Sequence, residues 1–308
     1  MLDRITSMQA FVRVVGQGSF AAAARSLGLS QTMVTKHVSA LEAHLGVALF
    51  HRSTRRLSLT ESGQLYLDRC QKLLSSLEDM EQEVTAGAAE PRGLLRMNTP
   101  VSFAMRHVAP LLPEFSQKYP LVTVELGVDD RRVDPIAEGW DLTLRIGHML
   151  PSSLKVRRLA HINFTLCAAP SYLAKHGTPA TVSDLEHHTC LGYTLSDPVG
   201  TTRWSFGRGG ERTIPVKSSL RSNNGDVLRT AALAGQGILY QPTFIVADEL
   251  QSGLLKPITL DTPLLEGPDL HAVYVPTTHV PLKVRVMIDF LAARYAPVHP
   301  WERAGHQS

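Results

Sequence analysis

Cysteine is scarce in this 308-residue chain: there are three, Cys70, Cys167 and Cys190, an odd number at spacings that match no metal site. A disulfide framework is therefore not expected. Cys167 sits in the apolar run Phe164-Thr165-Leu166-Cys167-Ala168, which reads as a buried strand, so a Cys167–Cys190 switch is not expected either. The cluster His187-His188-Thr189-Cys190 lacks a second ligand pair and reads as a helix end followed by a strand start, with no metal implied. Long hydrophobic runs are also missing: none approaches the roughly 18 residues of a membrane span, and no signal-peptide pattern is present. The expectation is a cytoplasmic protein with no membrane partner. Residues 93–300 contain no nucleophile elbow, phosphate loop, metal motif or paired general acid and base, so catalytic residues are expected to be none.

What the chain does have is length for two or three domains and a hydrophobic content of 44%, enough for sizeable cores. Its most informative stretch runs from Ser19 to Gly63. Ser19 is a helix N-cap, Gly28 a C-cap, and Ser30 caps the next helix two residues later. So short a turn sets consecutive helices at a steep angle. On the second helix, Ser30 to Leu45, a rotation of about 100° per residue puts Val34, Val38, Leu41 and Leu45 in one arc of roughly 60°, a core-facing stripe. Gln31, Thr32, Thr35, Lys36 and Ser39 fall on another arc of roughly 140° without a large apolar side chain. That face reads either as a merely solvated surface or as a major-groove reader. Gln pairs bidentately with adenine, Lys reaches guanine acceptors or phosphate, and Thr methyls meet thymine methyls.

The following segment favours the second reading. His51, Arg52, Arg55 and Arg56 crowd a turn between Leu49-Phe50 and Leu57-Ser58-Leu59, the pattern of a winged hairpin. Residues 1–60 hold seven Lys or Arg against two acids, a net +5, whereas the whole chain is only +3 and the remainder therefore −2. Positive charge is concentrated where phosphates would be met. Upstream, Ile5, Met8, Phe11, Val12 and Val15 follow helical spacing and predict a supporting helix ended by Gly16 and Gly18.

Beyond the hairpin, Thr60 caps a predicted helix over 61–85. Along it Tyr66, Cys70, Leu73, Leu77, Met80 and Val84 are spaced 4, 3, 4, 3, 4, a heptad seam that suits either the chain's own body or a partner helix. Ala86 to Gly93 reads as a hinge. From Leu94 onward short apolar runs alternate with helical stretches such as Ala104 to Tyr119, an α/β pattern. Ligands of open α/β sheets bind beyond the carboxyl ends of strands. Thr99, Ser102 and Phe103 after the first strand, Asp129 after the second, Arg145 closing the third, Asn223 before a helix, and Tyr240 and Pro242 ending a strand meet that description. Each also suits ordinary capping or turn formation.

The stretch SFAAAARSLGLSQTMVTKHVSALEAHLGVALFHRSTRRLSLTESG resembles the N-terminal winged helix-turn-helix of LysR-type transcriptional regulators, and the resemblance continues more loosely through VDDRRVDPIAEGWDLTLRIG, RRLAHINFTLCAAPSYLAKHG and HHTCLGY. It implies an all-α winged helix-turn-helix over 1–60, a linker helix and hinge over 61–92 that pairs two subunits, and a two-lobed α/β effector domain like that of periplasmic solute-binding proteins. Lobe I would take 93–162 and 268–300, lobe II 163–267, leaving 301–308 as a tail. Ser30, Gln31, Thr32, Thr35, Lys36 and Ser39 would face double-stranded DNA, with Arg52, Arg55 and Arg56 as wing or phosphate contacts. Lys at 36, where such proteins often carry Arg, disfavours bidentate guanine recognition there. The resemblance further implies a homodimer or homotetramer, a roughly palindromic site, an effect on RNA polymerase, and no cofactor beyond a small-molecule effector between the lobes, with Ser102 where relatives commonly place a hydroxyl. The alternative is a solute-binding or enzymatic α/β domain fused to a DNA-binding module.

Overall fold

The computed structural model describes residues 3–51, 57–84, 90–131, 133–147, 149, 153–196, 198–275, 280–296 and 299–302. The chain divides into two compact units, 1–89 and 90–308.

The first unit is built from α1 (Arg4–Gln17), α2 (Phe20–Leu27), α3 (Gln31–Leu45) and α4 (Glu61–Val84). Local capping explains where they start. The Asp3 carboxylate accepts from the Ile5 and Thr6 amides, Ser19 from Ala22, Ser30 from Met33 and Thr60 from Gly63. Ala10, Phe11 and Val14 of α1, Ala23 and Ala24 of α2, and Val34, Val38 and Leu41 of α3 form one core with Leu49, Phe50, Leu67 and Cys70. Leu45, expected in the same stripe, is 37% exposed, because the last turn of α3 runs past the core into the exposed stretch 43–48. Gly63 is required by close approach: a Cβ there would stand 2.1 Å from the Leu49 carbonyl oxygen, so α4 seats directly on the hairpin arm.

The second unit holds two five-stranded sheets. In chain order it runs β1 (Gly93–Thr99), α5 (Val101–Phe103), α6 (Leu112–Lys118), β2 (Val122–Val128), α7 (Pro135–Glu138), β3 (Leu142–Ile146), β4 (Lys155–His161), β5 (Phe164–Ala168), α8 (Pro170–His176) and β6 (Thr189–Tyr193). It continues with β7 (Arg203–Phe206), β8 (Arg212–Pro215), β9 (Lys217–Ser222), α9 (Gly225–Leu233), β10 (Ile238–Pro242), α10 (Thr243–Gln251), β11 (Lys256–Pro257), β12 (Asp269–Tyr274) and α11 (Leu282–Tyr295). Sheet order is β2-β1-β3-β12-β4 in the first lobe and β11-β5-β10-β6-β9 in the second, with β7-β8 a separate ribbon. β12 returns from the second lobe to pair antiparallel with both β3 and β4. The crossovers therefore lie side by side. The Ile162 amide donates to the Pro268 carbonyl at 2.9 Å, and a Cβ on Gly267 would fall 1.6 Å from the Ile162 oxygen, a gap only glycine fits.

Two features depart from expectation. The single helix expected over 104–119 is instead α5, a wide π turn at Ala104–Val108, a tight 3-10 turn at Ala109–Leu111, and α6. Pro110 and Pro113 have no N–H to donate, which interrupts the regular ladder in this run. The boundary drawn at 301 also falls inside ordered structure: Trp301 is buried, packed among rings of the core.

Candidate DNA-reading face and interlobe seam

On α3 the side chains of Gln31, Thr32, Thr35, Lys36 and Ser39, with Ser30 at its cap, are all exposed, while Val34, His37, Val38 and Leu41 are buried. One flank therefore packs and the other is open. The Thr35 hydroxyl donates to the Gln31 carbonyl at 2.9 Å. A residue that the pattern did not single out holds this helix against α1. Ser7 Oγ donates its only proton to the Asp3 carbonyl (2.7 Å), so at 2.8 Å from His37 Nδ1 it must accept from a protonated Nδ1. Downstream, Glu42 of α3 accepts from the Leu49 amide at 2.8 Å and from the Phe50 amide, anchoring the start of the hairpin. Its two arms are joined by an antiparallel Phe50–Leu59 bridge and by a His51 amide to Ser58 carbonyl bond of 2.9 Å. Arg52, Arg55 and Arg56 lie outside the described residues.

The heptad stripe on α4 splits in two. Cys70 is buried and Tyr66 packs on Phe11 of α1 with ring centroids 5.6 Å apart, so both belong to this chain's own core and not to a partner seam. Burial raises the Tyr66 hydroxyl to about 12, and raises the Cys70 thiol as well. Leu73 (47% exposed) and Met80 (59%) are open and Leu77 is half-buried, while the Val84 side chain lies outside the description.

In the second unit, polar groups converge where α9 meets the first lobe. Arg106, in the π turn, donates to Asp226 at 2.6 Å, and the Ser102 hydroxyl lies beside the same carboxylate and favours its charged form. Asp226 is also held by Arg229, which pairs with the buried Glu249. Burial works to raise the Asp226 carboxyl, but the bonds from Arg106 and Ser102 and the charges of Arg106 and Arg229 hold it below the ordinary value. The reciprocal contact runs the other way. Asp130 of the first lobe accepts from the Val101 amide at 2.9 Å and from the Asn224 side chain of the second lobe at 3.1 Å. Here burial wins and the carboxyl is raised. Gly225, between the two contact residues of α9, is closely packed: a Cβ would meet the terminal Cδ1 of Ile245 at 2.5 Å and come within 3.6 Å of Ser102 Oγ.

Of the residues expected at this place, only Ser102 stands in the seam, buried beside the Asp226 carboxylate and close to Gly225 of the opposite lobe. Thr99 is fully buried with a hydroxyl that has no partner among the described residues, and Phe103 is buried among His107, Phe244, Tyr295 and Trp301. Asp129 pairs with Arg131 across one turn, a contact that lowers its carboxyl; its neighbour Asp130 makes the interlobe bond instead. Asn223 is exposed, and Asn224 takes its place. Tyr240 is packed between Trp204 and Phe206, and its hydroxyl accepts from the Leu265 amide at 2.8 Å, so it belongs to the second lobe's core. Arg145 binds the Val133 carbonyl, which makes it a structural tie. Pro242 leads into α10 and is partly exposed. Cys167 and Cys190 stand on strands separated by β10 and belong to different core clusters, with thiols pushed up to about 12 by burial.

Comparison with known proteins gives this arrangement a family. Residues 5–64 match the family described as bacterial regulatory helix-turn-helix protein, lysR family, and residues 88–296 match the LysR substrate binding domain. The chain is 34% identical over 281 residues to the HTH-type transcriptional regulator CrgA of Neisseria meningitidis, spanning 91% of this chain and 93% of that one. It is 33% identical over 301 residues to the HTH-type transcriptional regulator DmlR of Escherichia coli, covering 97% of each. The solved structure of CrgA superposes with a TM-score of 0.63 at 32% identity over 95% of this chain and 99% of that one, and full-length AphB of Vibrio cholerae with 0.57 at 28% over 94% and 98%. Exposed reading helix, paired hairpin arms and a two-sheet domain joined by paired crossovers are thus those of the LysR family, and the chain is a LysR-type transcriptional regulator with a helix-turn-helix DNA-binding unit and an effector-binding substrate domain.

Proposed function

We propose that the protein acts as a homodimer, or a dimer of such dimers, on a roughly palindromic promoter site and responds to a small molecule carrying a carboxylate or another hydrogen-bond acceptor, held between the lobes. Exposure of Gln31, Thr32, Thr35, Lys36 and Ser39 on one flank of α3 supports base reading by that face. Arg52, Arg55 and Arg56 are the phosphate contacts of the wing. Leu73, Leu77 and Met80 of α4 pair with the same helix of a second copy. Two reading heads about a twofold axis then require a twofold-related site. A change in the spacing of those heads alters DNA bending and the access of RNA polymerase.

The observation that carries the effector reading is the reciprocal seam. Two carboxylates, Asp226 and Asp130, are each held by donors of the opposite lobe. A ligand acceptor group takes the Ser102 hydroxyl and the Arg106 guanidinium in competition with Asp226, and so acts on the angle between the lobes. An effector found by thermal-shift screening, with calorimetry on wild type and Ser102→Ala, tests this. A loss of about 0.5–1.5 kcal/mol is expected for a neutral bond and about 1.5–3 for a charge-assisted one. Wild-type affinity in Ser102→Ala and Arg106→Ala together moves the site elsewhere.

A further inference from the structure

The segment after α11 folds back onto the joint between the lobes. His299 Nδ1 stands 2.6 Å from the Tyr295 carbonyl, which can only accept, and the His161 amide donates to His299 Nε2 at 3.2 Å. The two bonds together require the neutral ring with its proton on Nδ1. The Asn163 side-chain amide donates to the Glu302 carboxylate. His161 and Asn163 flank Ile162, the residue locked against Gly267 and Pro268 where the two crossovers touch. The segment therefore grips the joint on both sides.

Between these tethers Trp301 is driven into an aromatic box. Its ring centroid lies 5.5 Å from Phe103, 4.8 Å from His107 and 5.5 Å from Tyr295, all of the first lobe, and 6.3 Å from Phe244 in the first turn of α10 in the second. His299 stacks over it at 5.3 Å and 23°. The box is itself cross-braced. His107 Nε2 donates to the Phe244 carbonyl at 3.1 Å, across the lobes, and the Tyr295 hydroxyl donates to the His107 carbonyl at 2.8 Å. The indole Nε1 is buried with no partner among the described residues, and ring packing is what holds the side chain there.

We propose that residues 299–302 form a strap across the interlobe joint, with Trp301 as a positioning residue that sets the angle between the lobes in the absence of effector. Phe103 is the link to the seam. It touches Trp301 directly and is the chain neighbour of Ser102, so a shift of the indole is passed to the turn that holds Asp226. Rotation of one lobe about the crossovers separates Phe244 from Phe103 and His107, and the plug between them must then give way. The proposal rests on the seam being the effector-responsive joint, but the strap can be tested with neither effector nor DNA present.

Hydrogen exchange on the full-length protein provides the test, with wild type, Trp301→Ala, Trp301→Phe and Glu302→Ala compared. For Trp301→Ala, exchange is expected to rise at least tenfold in peptides covering 161–164, 266–269 and the first turn of α10, with β1, β3, β5 and β10 as protected as in wild type. Trp301→Phe is expected to restore most of that protection. Glu302→Ala, which removes a tether at the surface and leaves the box intact, is expected to raise exchange several-fold at 161–164 alone. An increase spread evenly through both sheets in Trp301→Ala, or no change at the crossovers in both Trp301→Ala and Glu302→Ala, overturns the strap. Failure of the effector reading would show separately, in the calorimetry described for Ser102 and Arg106.

Discussion

Among the described residues Arg106 and Asp226 form the shortest charged contact across the seam, at 2.6 Å with both side chains about one-fifth exposed. A charge-assisted bond of this length contributes about 1.5–3 kcal/mol. Residual solvent access places the contact in the lower half of that range. Arg106→Ala should therefore cost about 1.5–2 kcal/mol, since Asp226 keeps Arg229. Asp226→Ala should cost more, about 2–3 kcal/mol, because it leaves Arg106 and Arg229 facing each other without the carboxylate between them. In the double variant the two costs should not add, and the cycle should return a coupling of about 1–2 kcal/mol. All three tryptophans, Trp140, Trp204 and Trp301, lie in the second unit, so urea unfolding followed by tryptophan fluorescence reports that unit by itself. A coupling below about 0.5 kcal/mol would refute the latch, since contacts of that size are common at surfaces that hold nothing together. The pH dependence supplies a second arm. The Asp226 carboxyl is depressed in the folded state, so its stabilisation is present above the unfolded value of about 3.9 and is lost as pH falls through the folded value. Asp226→Asn should accordingly flatten the decline in stability of the second unit as pH is lowered from 5 to 3, and an unchanged decline would contradict the assignment.

Gln31→Ala should lose about 1–3 kcal/mol of discrimination per half-site at particular base pairs, measured by competition between promoter and random DNA; an equal loss on both would remove α3 as the reader. Leu77→Asp should separate the two copies in sedimentation and weaken binding to a palindromic site while the tryptophan signal of the second unit stays native, whereas Tyr66→Ala should destabilise the first unit without that selectivity, because Tyr66 packs on Phe11. An unchanged dimer in Leu77→Asp would reject the seam. Cys70, Cys167 and Cys190 are buried with raised thiols, so none should react with a disulfide reagent in the native protein at neutral pH, and all three should react in denaturant; one fast-reacting thiol would show that a strand opens.

The sequence was legible where structure is decided locally. Asp3, Ser19, Ser30 and Thr60 cap their helices with the next two or three amides, a relation contained in a few residues. The α/β character after residue 93 was visible for the same reason: strand-length apolar runs alternate with helical ones. Facing is another matter. Beyond β2 and β9 the relevant segments could be named, yet it is Asp130 and Asn224, and not Asp129 and Asn223, that bond across the lobes. Which of two adjacent residues looks across a seam depends on strand parity and on the turn that follows, and a one-residue step reverses it. The heptad on α4 had the opposite problem. Its spacing defines a stripe but carries no information on what covers it, and the first two positions are covered by α1. Trp301 offered no signal at all, because its box is assembled from residues about 200 and 60 positions away as well as from its neighbours.

The seam also constrains how a ligand can work on it. Asp226 belongs to the second lobe and is held by Arg106 of the first, while Asp130 belongs to the first and is held by Asn224 of the second. Each carboxylate is thus one half of a clasp, and Arg106, the cation a ligand would use, already holds Asp226 through one terminal nitrogen. A ligand group that replaces Asp226 on Ser102 and Arg106 exchanges one charge-assisted bond for another, so the net gain from that end is small. It also removes a lobe-to-lobe tie, which leaves the joint freer unless the ligand's other end reaches α9. A molecule that engages one side only is therefore expected to loosen the two lobes, and one that spans both to fix them at a new angle. Only the difference in its affinity for the two arrangements is available to shift them. With a latch coupling of about 1–2 kcal/mol, the equilibrium at stake is moved about five- to thirty-fold by the clasp alone, within reach of a single well-placed polar contact.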